Sequence, residues 1–216
     1  MNYKLIIDFK KDISYITDYY KKLIKRTKQK QIIGSINEWI VDNYYLISEQ
    51  EKNIMNEYRD KKIKKISNKR KKQIYLLIYS YLKETDFKVD MPLLFDKLNN
   101  YQKKNNDYFS YIEIYLISIL IRMILISELY KLSKKLNYKL GEKDKVDKVF
   151  NVISQKINNE HSFKLENYIQ INENIIQRPY YIEQLNYKLK EMGQLSENIF
   201  IRLNELLLDN KISLKE

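Results

Sequence analysis

The sequence predicts an all-α fold: a multi-helix antiparallel stack or bundle, with an apolar helix near residues 109–136 at its centre. Three observations predict it. Glycine and proline number only 3 and 2 in 216 residues, which leaves little material for the tight turns of all-β folds or the glycine loops of doubly wound sheets. Apolar residues recur at spacings of three and four along most of the chain, the period of a helix with one buried face. Hydrophobic residues make up 44% of the total, which suffices for a core that such faces can share.

The elements follow in order. Residues 8–28 carry Phe9, Ile13, Ile16, Tyr20, Leu23 and Ile24 at helical spacing, with lysines on the other side. Gly34-Ser35 breaks that pattern, and Ser35 is a candidate cap for the next helix. Residues 36–58 place Ile36, Trp39, Ile40, Asn43, Ile47 and Ile54 along one side. Residues 59–72 are strongly basic and read as a loop or as the polar start of a helix. Residues 73–83 are apolar and aromatic. Asp90-Met91-Pro92 reads as the start of a helix running to about Lys104, because proline suits the first helical turn.

Residues 109–136 form the most apolar segment. A membrane span needs about 20 predominantly apolar residues, and here Glu113, Arg122 and Glu128 interrupt. The pattern instead predicts a helix buried on nearly every side of a bundle. Beyond Gly141 the helical texture is weaker, in segments near 143–158, 162–177, 180–192 and 196–209. Pro179 is placed to begin one helix and Gly193 to end it. Residues 1–140 are expected to form one helical domain, and 141–216 a further helical layer continuous with it.

Composition excludes several kinds of chemistry. There is no cysteine and only one histidine, His161, so disulfides, thiol nucleophiles and multi-histidine metal sites have no material. No glycine-rich phosphate loop is present, and no cofactor is expected. Met1 to Lys11 mixes charged and apolar residues and lacks the uninterrupted apolar core of a signal peptide. The net charge of +12 has two readings: a partner bearing phosphates, or a bias towards Lys, Ile, Asn and Tyr such as AT-rich coding produces. The first reading rests on Lys61, Lys62, Lys64, Lys65, Lys69, Arg70, Lys71 and Lys72 as a surface for nucleic acid or an anionic membrane.

Glu38, Asp42 and Glu49 are spaced four and seven apart, which puts them on one helical face. A single acidic stripe is not the pair of carboxyls across a cleft that acid–base catalysis requires. Arg122 lies within the most apolar helix and needs a partner there. Its neighbours at three and four include no acid, so its partner is expected on another helix, with Glu38, Asp42 and Glu49 as candidates. Tyrosines 15, 19, 75, 79, 111 and 115 recur at i, i+4 and are expected to be half-buried, with the hydroxyl at the rim.

Residues 38–50 read Glu38-Trp39-Ile40-Val41-Asp42-Asn43-Tyr44-Tyr45-Leu46-Ile47-Ser48-Glu49-Gln50. This resembles the E-W-[LI]-[LV]-D-N-x-[HY]-[LI]-[IV]-x-[ED]-Q signature near the N-terminus of cyclic β-1,2-glucan synthases, very large bacterial proteins with glycosyltransferase and phosphorylase-like domains. Further blocks follow in the same order. Thr85-Asp86 with Asp90 resembles the family's T-D-x-x-[IV]-D, and Tyr101-Gln102 its Y-Q pair. Glu113 to Leu132, with Arg122-Met123 and Glu128-Leu129, resembles its G-E-L-W-x-x-P-x-M-L-R-x-x-L-I-E-x-L. Tyr181-Ile182-Glu183-Gln184-Leu185 resembles its W-I-E-Q-R-L.

The ordered set covers roughly residues 35–192. There are departures: Glu84 stands where the family has histidine, Ser118 where it has proline, and the lysine-rich 59–72 stretch replaces Leu-Pro and Tyr-Tyr-Arg elements. The family's catalytic machinery lies downstream of this region. The resemblance therefore implies a non-catalytic helical accessory or scaffold region, partnered in cis or in trans with a glycosyltransferase catalytic domain. It also implies a cytoplasmic location, with membrane association only through that partner. The alternative is a basic helical module that binds nucleic acid or an anionic membrane.

Overall fold

The structure is a computed structural model that describes residues 2–31, 33–157, 177–193 and 197–209. The chain is all-α: eight helices and no strand stand among the described residues. They are α1 (Asn2–Lys28), α2 (Ser35–Tyr58), α3 (Lys61–Lys65), α4 (Asn68–Glu84), α5 (Met91–Asn105), α6 (Tyr111–Ile157), α7 (Pro179–Met192) and α8 (Glu197–Asp209). The expected segment near 162–177 and His161 fall mostly or wholly outside the described residues.

Local chemistry sets the helix ends. Asp90 caps α5 by accepting from the Leu93 amide at 3.1 Å, and Asn106 stops that helix in the left-handed region at φ 46°. The basic stretch is mostly helical and not a loop: only residues 59–60 and 66–67 lie outside α3 and α4. Asp60 caps the short α3 through the Lys62 amide, and Ser67 restarts the chain as α4 through the Arg70 amide at 3.2 Å. The cap of α2 is Gly34, not Ser35, which is already the first helical residue. Gly34 has φ 82°, a conformation that a side chain strains even where, as here, a Cβ would meet nothing.

The apolar segment and the segment beyond Gly141 are one helix. α6 runs 47 residues without a break at Gly141. A lone glycine costs a helix about 1 kcal/mol relative to alanine, which neighbouring turns can offset. No proline lies nearby to stop it.

The chain divides into two compact units, residues 1–134 and 135–216, with the boundary inside α6. In the first unit α1 and α2 are antiparallel. Tyr19 donates to Asn37 Oδ1 at 2.6 Å, and two turns further along α2 Tyr44 donates to Thr17 Oγ1 at 2.8 Å. The first part of α6 supplies the middle of the core. Leu116, Ile117, Ile119, Leu120, Met123, Ile124 and Ile126 are buried among Phe9, Ile13 and Ile16 of α1, Ile47 and Ile54 of α2, Ile74, Ile78 and Leu82 of α4, and Leu94 and Leu98 of α5. Each such side chain contributes about 1.5–3 kcal/mol on leaving water. The helix is not buried all round, however. Tyr111 and Ile114 are exposed. Of the tyrosines expected to be half-buried, Tyr111 lies in solvent and Tyr19 is fully buried.

The second unit buries Leu140, Val146 and Phe150 from α6, Tyr181, Ile182, Leu185 and Leu189 from α7, and Ile199 and Leu203 from α8. Among the described residues no helix is long and apolar enough to cross a membrane.

Candidate docking face on the second helix

Two lines of residues run along α2. The first, Asn37, Ile40, Ile47, Ile54 and Tyr58, is buried. The second, Ile36, Trp39, Asn43, Leu46, Gln50, Asn53 and Glu57, alternates in steps of three and four and therefore forms its own stripe beside the first. Its far end is closed by α6. Arg122 donates through Nη1 to Glu57 Oε1 at 3.1 Å and to Gln50 Oε1 at 3.3 Å, and its Nη2 pairs with the other Glu57 oxygen. Its Nε donates to the Ser118 carbonyl at 3.1 Å. The near end is open: Ile36 is 52% exposed, Trp39 54% and Leu46 41%.

Two expectations are corrected here. Ile36 and Trp39 do not face the core. Asn37 and Ile40 take the buried positions of the first turns, and Ile36 and Trp39 stand on the stripe beside them. Arg122 does find its partner on another helix, and that helix is α2, but the acid is Glu57. Glu38, Asp42 and Glu49 each lie two residues from Ile40 or Ile47, about 200° around the helix, and all three are exposed. They are not internal struts. Glu38 and Asp42 instead line an open cleft of about 430 Å³ together with Thr27 at the end of α1 and Lys30 of the α1–α2 turn. Glu57 was missed because the quoted motif ends at Gln50, although the same stripe continues one heptad further.

The other residues of the resemblance act mainly as ties at helix ends. Asn43 donates to the Trp39 carbonyl at 2.8 Å. Thr85 donates to the Lys88 carbonyl at 2.7 Å, and Asp86 sits next to it at φ 49°. The Asp90 backbone both accepts from and donates to the Tyr81 hydroxyl, at 2.7 and 2.6 Å. Gln102 accepts from the Phe109 amide at 2.9 Å, and Tyr101 stacks on the Phe109 ring at 5.5 Å between centres. Glu128 pairs with Lys131. In the second unit Glu183 is exposed and Gln184 half-buried.

Glu113 holds the first turn of α6 by accepting from the Ser110 amide and hydroxyl, both at 2.8 Å. Its other oxygen pairs with Arg70, which also pairs with Asp107 and lies 5.0 Å over the Phe109 ring. Burial pushes the Glu113 carboxyl up, but the Arg70 bond and the two from Ser110 outweigh it and hold it below the ordinary carboxylate value.

The basic stretch is thereby split. Lys61, Lys62, Lys64, Lys65, Lys69 and Lys72 are exposed. Arg70 is committed inside the unit, and Lys71 is buried at 5% exposure, so neither belongs to a surface for anions. The Lys71 Nζ donates no hydrogen bond among the described residues and lies 6.0 Å from the centre of the Tyr58 ring. Burial pushes the amine below the usual lysine value and raises the Tyr58 hydroxyl to about 12.

A buried ammonium without an acceptor is a net cost at neutral pH. Lys71→Met keeps the stem and removes the charge. The expected result is a Tm raised by about 2–4 °C at pH 7, the shift of about 1 kcal/mol in a chain of this size. Because the folded amine has the lower pKa, wild-type stability rises with pH between the folded and unfolded values. The advantage of the variant must therefore shrink in alkaline buffer. A thermal scan in which Lys71→Met melts lower than wild type would show that the ammonium is compensated.

Among the described residues no group of three or more acidic or histidine side chains is placed to hold a metal ion. None of the protein-family models, curated proteins or solved structures compared with this chain matches it.

Proposed function

We propose that this chain is a non-catalytic helical accessory region of a cyclic β-1,2-glucan synthase-like protein, and that the open stripe of α2 docks its glycosyltransferase catalytic domain, in cis or in trans. The observation that carries the reading is the Gln50–Arg122 hydrogen bond. These two residues belong to separate blocks of the resemblance, 72 positions apart, and meet at one end of the stripe that bears Trp39. Blocks that follow in the same order as in the resembled family make sense if they build one surface. A half-exposed tryptophan with isoleucine and leucine beside it is the composition of an interface centre. Such a region would share the cytoplasmic location of its partner.

The test is calorimetric titration of the chain into the glycosyltransferase domain of a cyclic β-1,2-glucan synthase. Saturable binding is expected, with Kd raised at least tenfold by Trp39→Ala, as for a hot-spot residue. No heat of binding at about 100 μM would sink the docking reading. Sustained glucosyl transfer from UDP-glucose by the chain alone would overturn its non-catalytic part.

A further inference from the structure

A second face of the first unit has a different chemistry. Where α3, α4 and the start of α6 meet lies an open cleft of about 470 Å³, lined by Lys62, Lys65, Ser67, Arg70, Ser110 and Glu113 among others. Arg70, Glu113 and Asp107 together leave one negative charge, with Asp107 the most open of the three. The positive charge open to a ligand is that of Lys62 and Lys65, which outweighs it. Lys61 and Lys64 of α3 and Lys69 and Lys72 of α4 are also exposed. The first turn of the 17-residue α4 starts at this cleft and adds a partial positive charge of its own.

Aromatic rings stand beside these lysines. Tyr111 lies in the chain between Ser110 and Ile112, both of which line the cleft, and is 87% exposed. Tyr108, two residues before Ser110, is 69% exposed. A lysine cleft alone attracts any polyanion. Lysines with exposed rings beside them favour a polyanion that also offers flat faces to stack on, which is how single strands are held without sequence preference. A duplex covers its base faces, so it would meet only the lysines.

We propose that this cleft binds single-stranded nucleic acid: the lysines follow the phosphates, and Tyr108 and Tyr111 stack on bases. The site shares no residue with the α2 stripe, so the outcome of its test is independent of the docking reading.

The experiment is a fluorescence anisotropy titration of the full chain into a dye-labelled mixed-sequence strand of about 12 nucleotides, over a range of salt. The strand is expected to bind at least tenfold more tightly than the duplex of the same sequence, and polyphosphate is expected to compete poorly. Lys62→Gln/Lys65→Gln should reduce the slope of log affinity against log salt by about 1.4, two phosphate contacts at the single-strand value. Tyr108→Ala/Tyr111→Ala should weaken binding about tenfold or more with the slope unchanged. Tyr108→Phe/Tyr111→Phe, which keeps the rings, should bind as wild type does. Equal binding of duplex, equal competition by polyphosphate, or wild-type affinity in the alanine pair would overturn the proposal and leave only unspecific attraction between charges.

Discussion

Arg70→Met will lower the stability of the first unit by about 3–5 kcal/mol, the cost of leaving a buried charge without its partner. The Arg70 side chain is 14% exposed and that of Glu113 is 12% exposed. Without the guanidinium, Glu113 keeps only its bonds from Ser110, and at 12% exposure on the wall of the cleft it regains little water. Asp107 is more open and regains water at little cost. The ring of Phe109 loses the cation over its face as well. Urea denaturation should show the midpoint moving with little change in slope. Adding Glu113→Gln to Arg70→Met removes the stranded charge, so the double variant should be less damaged than the sum of the two single changes. A loss under about 1 kcal/mol for Arg70→Met would mean that Glu113 reaches water after all.

The same pair predicts a pH dependence. The folded Glu113 carboxyl titrates below its ordinary value of 4.5. The unfolded chain therefore takes up the proton first as the solution is acidified. The stabilisation is complete above about pH 4.5 and disappears as pH falls through the folded value. Glu113→Gln should show a flatter loss of stability over that acid window than wild type.

How much of this was legible in the sequence differs from element to element. The helices were legible because a 3.6-residue period needs only composition and spacing, and Asp90, Pro179 and Gly193 mark ends by chemistry local to a few residues. The continuity of α6 through Gly141 was not legible, because the apolar texture weakens there. A glycine marks a helix end only if the chain turns there, and the packing of α6 on both sides of it keeps the helix going. The Arg122 pairing was half legible. The absence of an intrahelical acid required a partner elsewhere, but the choice between Glu49 and Glu57 depends on which stripe of α2 faces α6, and that is a property of the packed pair of helices. Charge runs conceal most. Eight cations between Lys61 and Lys72 look alike in a sequence, yet a rotation of about 100° per residue separates exposed Lys69 and Lys72 from Arg70 and Lys71. The cleft at α3–α4 was invisible because its lining comes from residues more than forty positions apart.

The second unit has its own buried carboxylate, and a second large effect is expected there. Glu142 is only 3% exposed at its side chain. It accepts from Lys145 Nζ and from Arg178 Nε, each at 2.7 Å, and the Arg178 guanidinium lies 4.0 Å over the Tyr181 ring. Burial pushes the Glu142 carboxyl up, but the two cations outweigh it and the net shift is downward. The two cations are not equivalent. Lys145 is one turn along the same helix and 59% exposed, so water replaces much of what it gives and Lys145→Met should cost under about 1 kcal/mol. Arg178 stands before the first residue of α7, is 34% exposed, and fastens that helix to α6 through both the carboxylate and the ring. Arg178→Met should cost about 3 kcal/mol, the low end for breaking a buried pair. Arg178→Lys should recover only part of it, because an ammonium does not reproduce a guanidinium's contact with the Tyr181 ring. Urea titrations of the three variants give the order directly. Equal losses for Lys145→Met and Arg178→Met would mean that Glu142 is held by charge alone, without the geometry of the guanidinium.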